Sequence, residues 1–194
     1  MKNRFLFLAT LLLVTGLPAA DMPASAALPS AATEAMPGLK VGEKAAGFTL
    51  QNSVGQPVAL QALLKKSGVA LVFVRSADWC PFCRRQLQDL QKSLTEIEAA
   101  GVQLVAISYD SPATNTAAAA KLALSFPLLS DSGSKVIDAY GIRNKEATGR
   151  GIGVPHPVVF VVDQQGVIRA KLMRDGYRAR PESAEIVAAA KGLK

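Results

Sequence analysis

Three short, largely apolar runs constrain this chain most: Val69 to Arg75 (VALVFVR), Val102 to Tyr109 (VQLVAISY) and Val158 to Val162 (VVFVV). Each is rich in β-branched residues and bounded by turn formers. Such runs read as strands buried on both faces of a sheet. Buried strands need covering layers, and the intervening segments supply them. From Pro81 to Ala100, Leu87, Leu90, Leu94 and Ile97 recur at helical spacing, and Gly101 is a natural stop. Pro112 to Leu124 is Ala-rich, with Pro112 suited to a first helical turn. Ser134 to Tyr140 reads as a short helix ended by Gly141, and Pro181 to Ala190 as a closing helix. Phe126 to Leu129 is a further short apolar segment.

Two hairpins complete the pattern. Phe48 to Leu50 and Val58 to Leu60 flank the turn signal Asn52-Ser53-Val54-Gly55, and Ala62 to Lys66 suits a helical turn. Val158 to Val162 and Val167 to Lys171 flank Asp163-Gln164-Gln165-Gly166. Residues 142–154, with Gly149, Gly151 and Gly153, read as a mobile loop. The order predicts an α/β fold of three layers, with a central mixed sheet and an N-terminal β-hairpin.

The N-terminus carries a different message. Lys2 and Arg4 precede the apolar run Phe5 to Val14, and Ala24-Ser25-Ala26 fits a small-residue cleavage site. Residues 1–26 therefore read as a secretory signal peptide. The apolar run is shorter than the roughly 20 residues a spanning helix needs. Residues 27–40, rich in Ala, Pro and Ser, read as a flexible leader, and residues 41–194 as the folded domain. The expected location is outside the cytosol, in a bacterial periplasm.

The formal charge is +7; without residues 1–26 it is +6. No dense Lys/Arg cluster interleaved with aromatics accompanies it, so nucleic acid is not an expected partner. One histidine excludes a His-rich metal site, and two cysteines exclude an iron–sulfur cluster or a multiply stapled scaffold. No cofactor is expected.

What remains is Cys80-Pro81-Phe82-Cys83, placed where a buried strand ends and a helix begins. A helix N-terminus presents free N–H groups and partial positive charge, which stabilise a thiolate. Cys80 falls at the cap, where it is expected to be exposed, and Cys83 one turn on. Pro81 suits the first helical position. Arg75, Arg84 and Arg85 add positive potential, and Asp78 opposes it. A pair closing so small a loop gains little as a structural staple. The expected chemistry is attack by Cys80 as nucleophile, with Cys83 resolving the product into a Cys80–Cys83 disulfide. Trp79, the only Trp, either shields the active sulfur or packs the core.

Trp79 to Cys83 after a buried strand resembles the thioredoxin superfamily. Ala106 to Pro112 (AISYDSP), Phe126 to Asp131 (FPLLSD), Ala139 to Ile142 (AYGI) and Val159 to Arg169 (VFVVDQQGVIR) are similar to the alkyl hydroperoxide reductase/thiol-specific antioxidant, or redoxin, family. The likeness spans roughly residues 40–190 and implies a thioredoxin-like, peroxiredoxin-like fold with antioxidant redox activity. Two departures stand out. Peroxiredoxins carry Pro and Thr or Ser at fixed positions before the peroxidatic cysteine; here these hold Phe73 and Ala77 counted from Cys80, or Ser76 and Cys80 counted from Cys83. The Arg that precedes the last buried strand in that family is replaced by Pro157.

Pro157, with Pro155 as a rival, resembles the proline that thioredoxin-like oxidoreductases hold in cis beside the disulfide. The resemblance implies that His156 sits near Cys80, where it would stabilise the thiolate or shuttle its proton; otherwise it is a surface-loop histidine. The resulting expectation is an exported thiol–disulfide oxidoreductase acting on protein disulfides, with an unidentified thiol reductant or oxidant as partner. The alternative is a thiol-dependent peroxidase acting on hydroperoxides. A third is a Cu(I)-binding metallochaperone using Cys80, Cys83 and His156.

Overall fold

A computed structural model describes residues 36–193. The expected signal peptide and most of the expected leader lie outside the described residues. One seven-stranded mixed sheet runs through the fold. Its strands are β1 (Thr49–Gln51), β2 (Pro57–Ala59), β3 (Gly68–Phe73), β4 (Val102–Ser108), β5 (Leu128–Ser130), β6 (Val158–Val162) and β7 (Ile168–Met173), in the order β2-β1-β5-β4-β3-β6-β7. β3, β4 and β5 are parallel; β6 and β7 extend one side antiparallel, and the β1–β2 hairpin extends the other.

The apolar runs occupy the interior because they have no polar face to give to water. All six residues of β3 and all five of β6 are buried. Their side chains alternate between two cores. Ala70, Val72, Val159 and Val161 face a core shared with Leu87, Leu90, Ile97 and Ile186. Val69, Leu71, Phe73, Phe160 and Val162 face the other, with Leu60, Ile137 and Tyr140. The helices that cover the first core are α2 (Pro81–Lys92), α3 (Leu94–Ala99), α4 (Pro112–Lys121) and α6 (Ser183–Lys191). α1 (Leu60–Leu64) and α5 (Lys135–Ala139) cover the second. The expected α/β layers with a mixed sheet and an N-terminal hairpin are present.

Three expectations are corrected. The helix expected over Pro81–Ala100 breaks at Ser93, whose backbone (φ −96°, ψ 6°) leaves the helical range and whose Oγ donates to Ser183 Oγ at 2.9 Å. Residues 36–40, expected within the flexible leader, are docked: Leu39 N–H donates to the Tyr140 carbonyl at 3.0 Å, and Lys171 Nζ to the carbonyls of Met36 and Gly38. Gly38, at φ +101°, is required there, since a Cβ would strike Ile142 and lie 2.8 Å from the Tyr140 oxygen. The stretch 142–154, expected as a mobile loop, is stitched at both ends by Asn144 N–H to Val154 O (2.9 Å) and His156 N–H to Ile142 O (2.7 Å). Ser134 Oγ, donating to Gly153 O at 2.9 Å, pins its far side.

Candidate active site

β3 ends at Phe73, and its chain continues through residues 74–79 into α2 at the carboxyl end of the parallel strands, where α/β sheets place their sites. That connection is held by a buried carboxylate. Ser76 Oγ donates to Asp110 Oδ1 (2.9 Å) and Ala77 N–H to Asp110 Oδ2 (2.8 Å). Ser76 Oγ in turn accepts the N–H groups of Asp78 (3.1 Å) and Trp79 (3.2 Å). Four residues before Cys80 are thus fixed by one Ser–Asp pair. Burial raises the Asp110 pKa, against the hydrogen bonds from Ala77 and Ser76.

Cys80 is the N-cap of α2 and Pro81 its first residue, as the sequence predicts. Cys80 and Cys83 form a disulfide with Cα atoms 5.3 Å apart. Cys80 Sγ accepts the Cys83 N–H at 3.3 Å, so a free α2 N–H points at this sulfur. Cys83 Sγ accepts from Arg180 Nη2 at 3.4 Å. The first sulfur is therefore served by the helix start and the second by a guanidinium. Both would stabilise a thiolate after reduction.

The expectation of an exposed Cys80 is corrected. Cys80 is 1% and Cys83 0% exposed. Trp79 and Phe82, partly buried, pack onto the same core as the two cysteines. In the disulfide form both cysteines are thus shielded from solvent.

Trp79 takes the second of its two expected roles: it packs, partly buried, onto the core. Its Nε1 donates to Tyr109 Oη at 3.0 Å, and Tyr109 Oη donates to the Arg150 carbonyl. The guanidinium carbons of Arg75 and Arg150 lie 5.2 and 4.9 Å from the Trp79 ring, and Arg75 lies 4.5 Å from the Tyr177 ring.

His156 and Pro157 precede β6 directly, and Val158 pairs with Phe73, so both lie at the sheet end where the disulfide sits. The cis proline is corrected: among the described residues no peptide bond is cis, at Pro155 or Pro157. The His156 N–H is committed to Ile142 O rather than free for a substrate strand. The hydrogen-bond partners of the sulfurs are Cys83 N–H and Arg180, not the imidazole. Burial favours the neutral ring and holds the His156 pKa below its usual range, against the opposing pull of Glu146.

No group of three His, Cys, Asp or Glu side chains among the described residues is arranged to hold a metal ion, and two of the three candidate Cu(I) ligands are joined in the disulfide. Arg180 was not foreseen; it stands 97 positions from Cys83, and its only local signal is the basic stretch before Pro181. Asp110 lies just beyond the carboxyl end of β4, and that position was its one available signal.

Comparison with known proteins agrees with this geometry. Residues 41–171 match the AhpC/TSA family. The chain belongs to that family. It is an oxidoreductase enzyme. The thiol–disulfide oxidoreductase ResA of Halalkalibacterium halodurans is 32% identical over 66% of this chain and 66% of its own length. Alkyl hydroperoxide reductase E of Mycobacterium tuberculosis is 34% identical over 74% of this chain and 92% of its own length. Among solved structures, peroxidoxin BcpB of M. tuberculosis superposes with a TM-score of 0.71 at 22% identity, covering 80% of this chain and 99% of that one. A peroxiredoxin-like protein from Aquifex aeolicus also gives 0.71, at 21% identity, over 81% and 90%. These two establish the thioredoxin-like, peroxiredoxin-type fold.

Proposed function

We propose that this protein is an exported thiol–disulfide oxidoreductase that works through the Cys80–Cys83 dithiol. The observation that carries the reading is the sulfur pair at the start of α2, one sulfur accepting a helix N–H and the other Arg180. In the reduced protein the Cys80 thiolate attacks one sulfur of a substrate disulfide, and the other substrate sulfur leaves with the electron pair. Cys83 then attacks Cys80 Sγ, releasing the second substrate thiol and closing the Cys80–Cys83 disulfide. Two electrons pass from the dithiol to the substrate. An external thiol must restore the dithiol.

Hydroperoxide reduction is the second reading, favoured by the resemblance to alkyl hydroperoxide reductase E over 92% of that protein. Cys80 would attack the terminal peroxide oxygen, releasing an alcohol or water. Cys83 would then condense with the sulfenic acid and release water. Phe73, Ala77 and Pro157, where peroxidases of this type carry polar or fixed residues, weigh against fast turnover.

Reduced protein mixed with insulin or with hydrogen peroxide separates the two. Exchange with insulin that is lost in Cys80→Ser supports the first reading. Rapid, Cys80-dependent change of Trp79 fluorescence on mixing with peroxide, without insulin exchange, replaces it with the second. Export is tested by cell fractionation and N-terminal sequencing; a mature chain starting at Ala27 in the periplasmic fraction is expected, and a cytosolic full-length chain counts against it.

A further inference from the structure

A cleft of about 470 Å3 opens between α2 and residues 178–183, a size typical of small-molecule sites. It adjoins the disulfide. Phe82, between the two cysteines, forms part of its wall, and so does Arg180, which donates to Cys83 Sγ.

The charges in the cleft are unevenly committed. Its acids are already engaged: Asp89 binds Lys92 at 3.0 Å, and the Glu182 carboxylate caps α6. Its arginines carry charge that no acid answers: Arg85, Arg178 and Arg180 pair with no carboxylate among the described residues, although Arg180 donates to the carbonyls of Tyr177 and Ala179 and to Cys83 Sγ. Two buried polar atoms on lining residues also have no partner among the described residues: Gln86 Oε1, an acceptor on a 7% exposed residue, and Arg180 Nε, a donor. Buried groups of this kind are rare without a partner. With the arginines, an acceptor and a donor on the cleft wall suit a carboxylate and an N–H on one small molecule.

We propose that the cleft seats the carboxylate and amide or ammonium end of a low-molecular-weight amino-acid or short-peptide thiol, which reduces the Cys80–Cys83 disulfide. This rests on the dithiol being redox-active. Arg180 covers Cys83; drawing its guanidinium onto the ligand carboxylate uncovers that sulfur. The ligand thiolate then bonds to Cys83 Sγ, and the Cys80–Cys83 bond breaks. Cys80 leaves with the electron pair at the helix start, where the Cys83 N–H receives it. A second thiolate attacks the ligand sulfur of the mixed disulfide, expelling the Cys83 thiolate. Two thiols are oxidised to one disulfide, the protein gains two electrons, and the two thiol protons pass to the cysteines or to solvent.

The test is rapid mixing of the oxidised full chain with N-acetylcysteine or its neutral amide, compared at equal thiolate concentration and followed by Trp79 fluorescence. N-acetylcysteine should be faster by about tenfold, the size of one charge-assisted hydrogen bond, with the advantage shrinking as salt rises. Arg85 and Arg178 are exposed, so both can be changed with little risk to the fold. The double variant R85Q/R178Q should bring the ratio of the two rates toward one, and R85K/R178K should largely keep it. Equal rates in the parent protein, or a ratio untouched by R85Q/R178Q, overturn the cleft assignment. Selective reduction by an acidic protein dithiol, with small thiols all alike, overturns it as well. Dithiothreitol separates the two failures: if it opens the disulfide and no carboxylate preference is seen, only the cleft is lost. If it opens the disulfide and the dithiol then exchanges with neither insulin nor peroxide, the redox reading itself falls.

Discussion

Arg180 donates Nη2 to Cys83 Sγ at 3.4 Å while its Nη1 donates to the Ala179 carbonyl at 3.0 Å. The guanidinium is thus tethered to its own loop and aimed at a sulfur 97 positions away in sequence. Burial, and then the charge of Arg75, push its pKa down to about 10, so it stays charged at neutral pH in a costly place. A cation held there favours a thiolate over a disulfide. Arg180→Gln should lower the reduction potential of the pair by ~30 mV, the equivalent of ~1.4 kcal/mol for two electrons, and Arg180→Lys by less. A redox titration followed by Trp79 fluorescence measures this, and an unchanged potential in Arg180→Gln would show that the contact has no redox role.

Asp110 sets a pH signature. Burial raises its pKa, so the folded state binds this proton more tightly than the unfolded chain does. Rising pH through the window between the ordinary and the raised value therefore removes stability, and the loss persists above it. Asp110→Asn cannot ionise. It also loses an acceptor for Ser76 or Ala77, so it should start less stable in acid. The gap to the parent protein should then narrow as pH climbs through the window. Urea unfolding across pH 3.5–7 tests this; parallel profiles would count against it.

Tyr109 ties the Trp79 indole to the Arg150 carbonyl through one hydroxyl. Tyr109→Phe removes both hydrogen bonds and should cost about 1 kcal/mol, because the indole N–H is only partly buried and water can replace the partner. The loop bearing Arg150 should loosen, uncovering the ring. Acrylamide should then quench Trp79 more strongly, and quenching equal to that of the parent protein would place the ring's order elsewhere.

The parts of this structure that were legible in the sequence are those set by local pattern. Val69 to Phe73 and Val158 to Val162 can satisfy themselves only as interior strands, and they are fully buried. Cys80 and Pro81 carry helix-start signals, and they are the cap and first residue of α2. The cis proline rests on a family resemblance rather than on a residue's own preference, and Pro157 alone does not enforce it. The burial of the cysteines was hidden because they join a core built from β3, β6 and α6, and Cys83 also meets Arg180 from beyond β7. Arg180 was hidden for the same reason: nothing near residue 180 reports that α6 brings it back to α2. The break at Ser93 was legible only as a propensity, since its partner Ser183 lies 90 positions on.

Tyr140 tests the core on the far side of the sheet. It is fully buried, with its ring 4.9 Å from Phe73 and 5.3 Å from Phe160. Its hydroxyl finds no hydrogen-bond partner among the described residues, and burial pushes its pKa far above the usual phenol range. The ring therefore contributes packing, while the oxygen carries a desolvation cost. Tyr140→Phe keeps the aromatic contacts and removes that cost, so it should leave stability unchanged or raise it by up to about 1 kcal/mol. Tyr140→Ala should instead cost about 3–5 kcal/mol, as for other large aromatic deletions in a core. Urea unfolding of both variants decides the matter. A Tyr140→Phe variant less stable than the parent by about 1 kcal/mol or more would mean that the hydroxyl is satisfied, by an internal water for example.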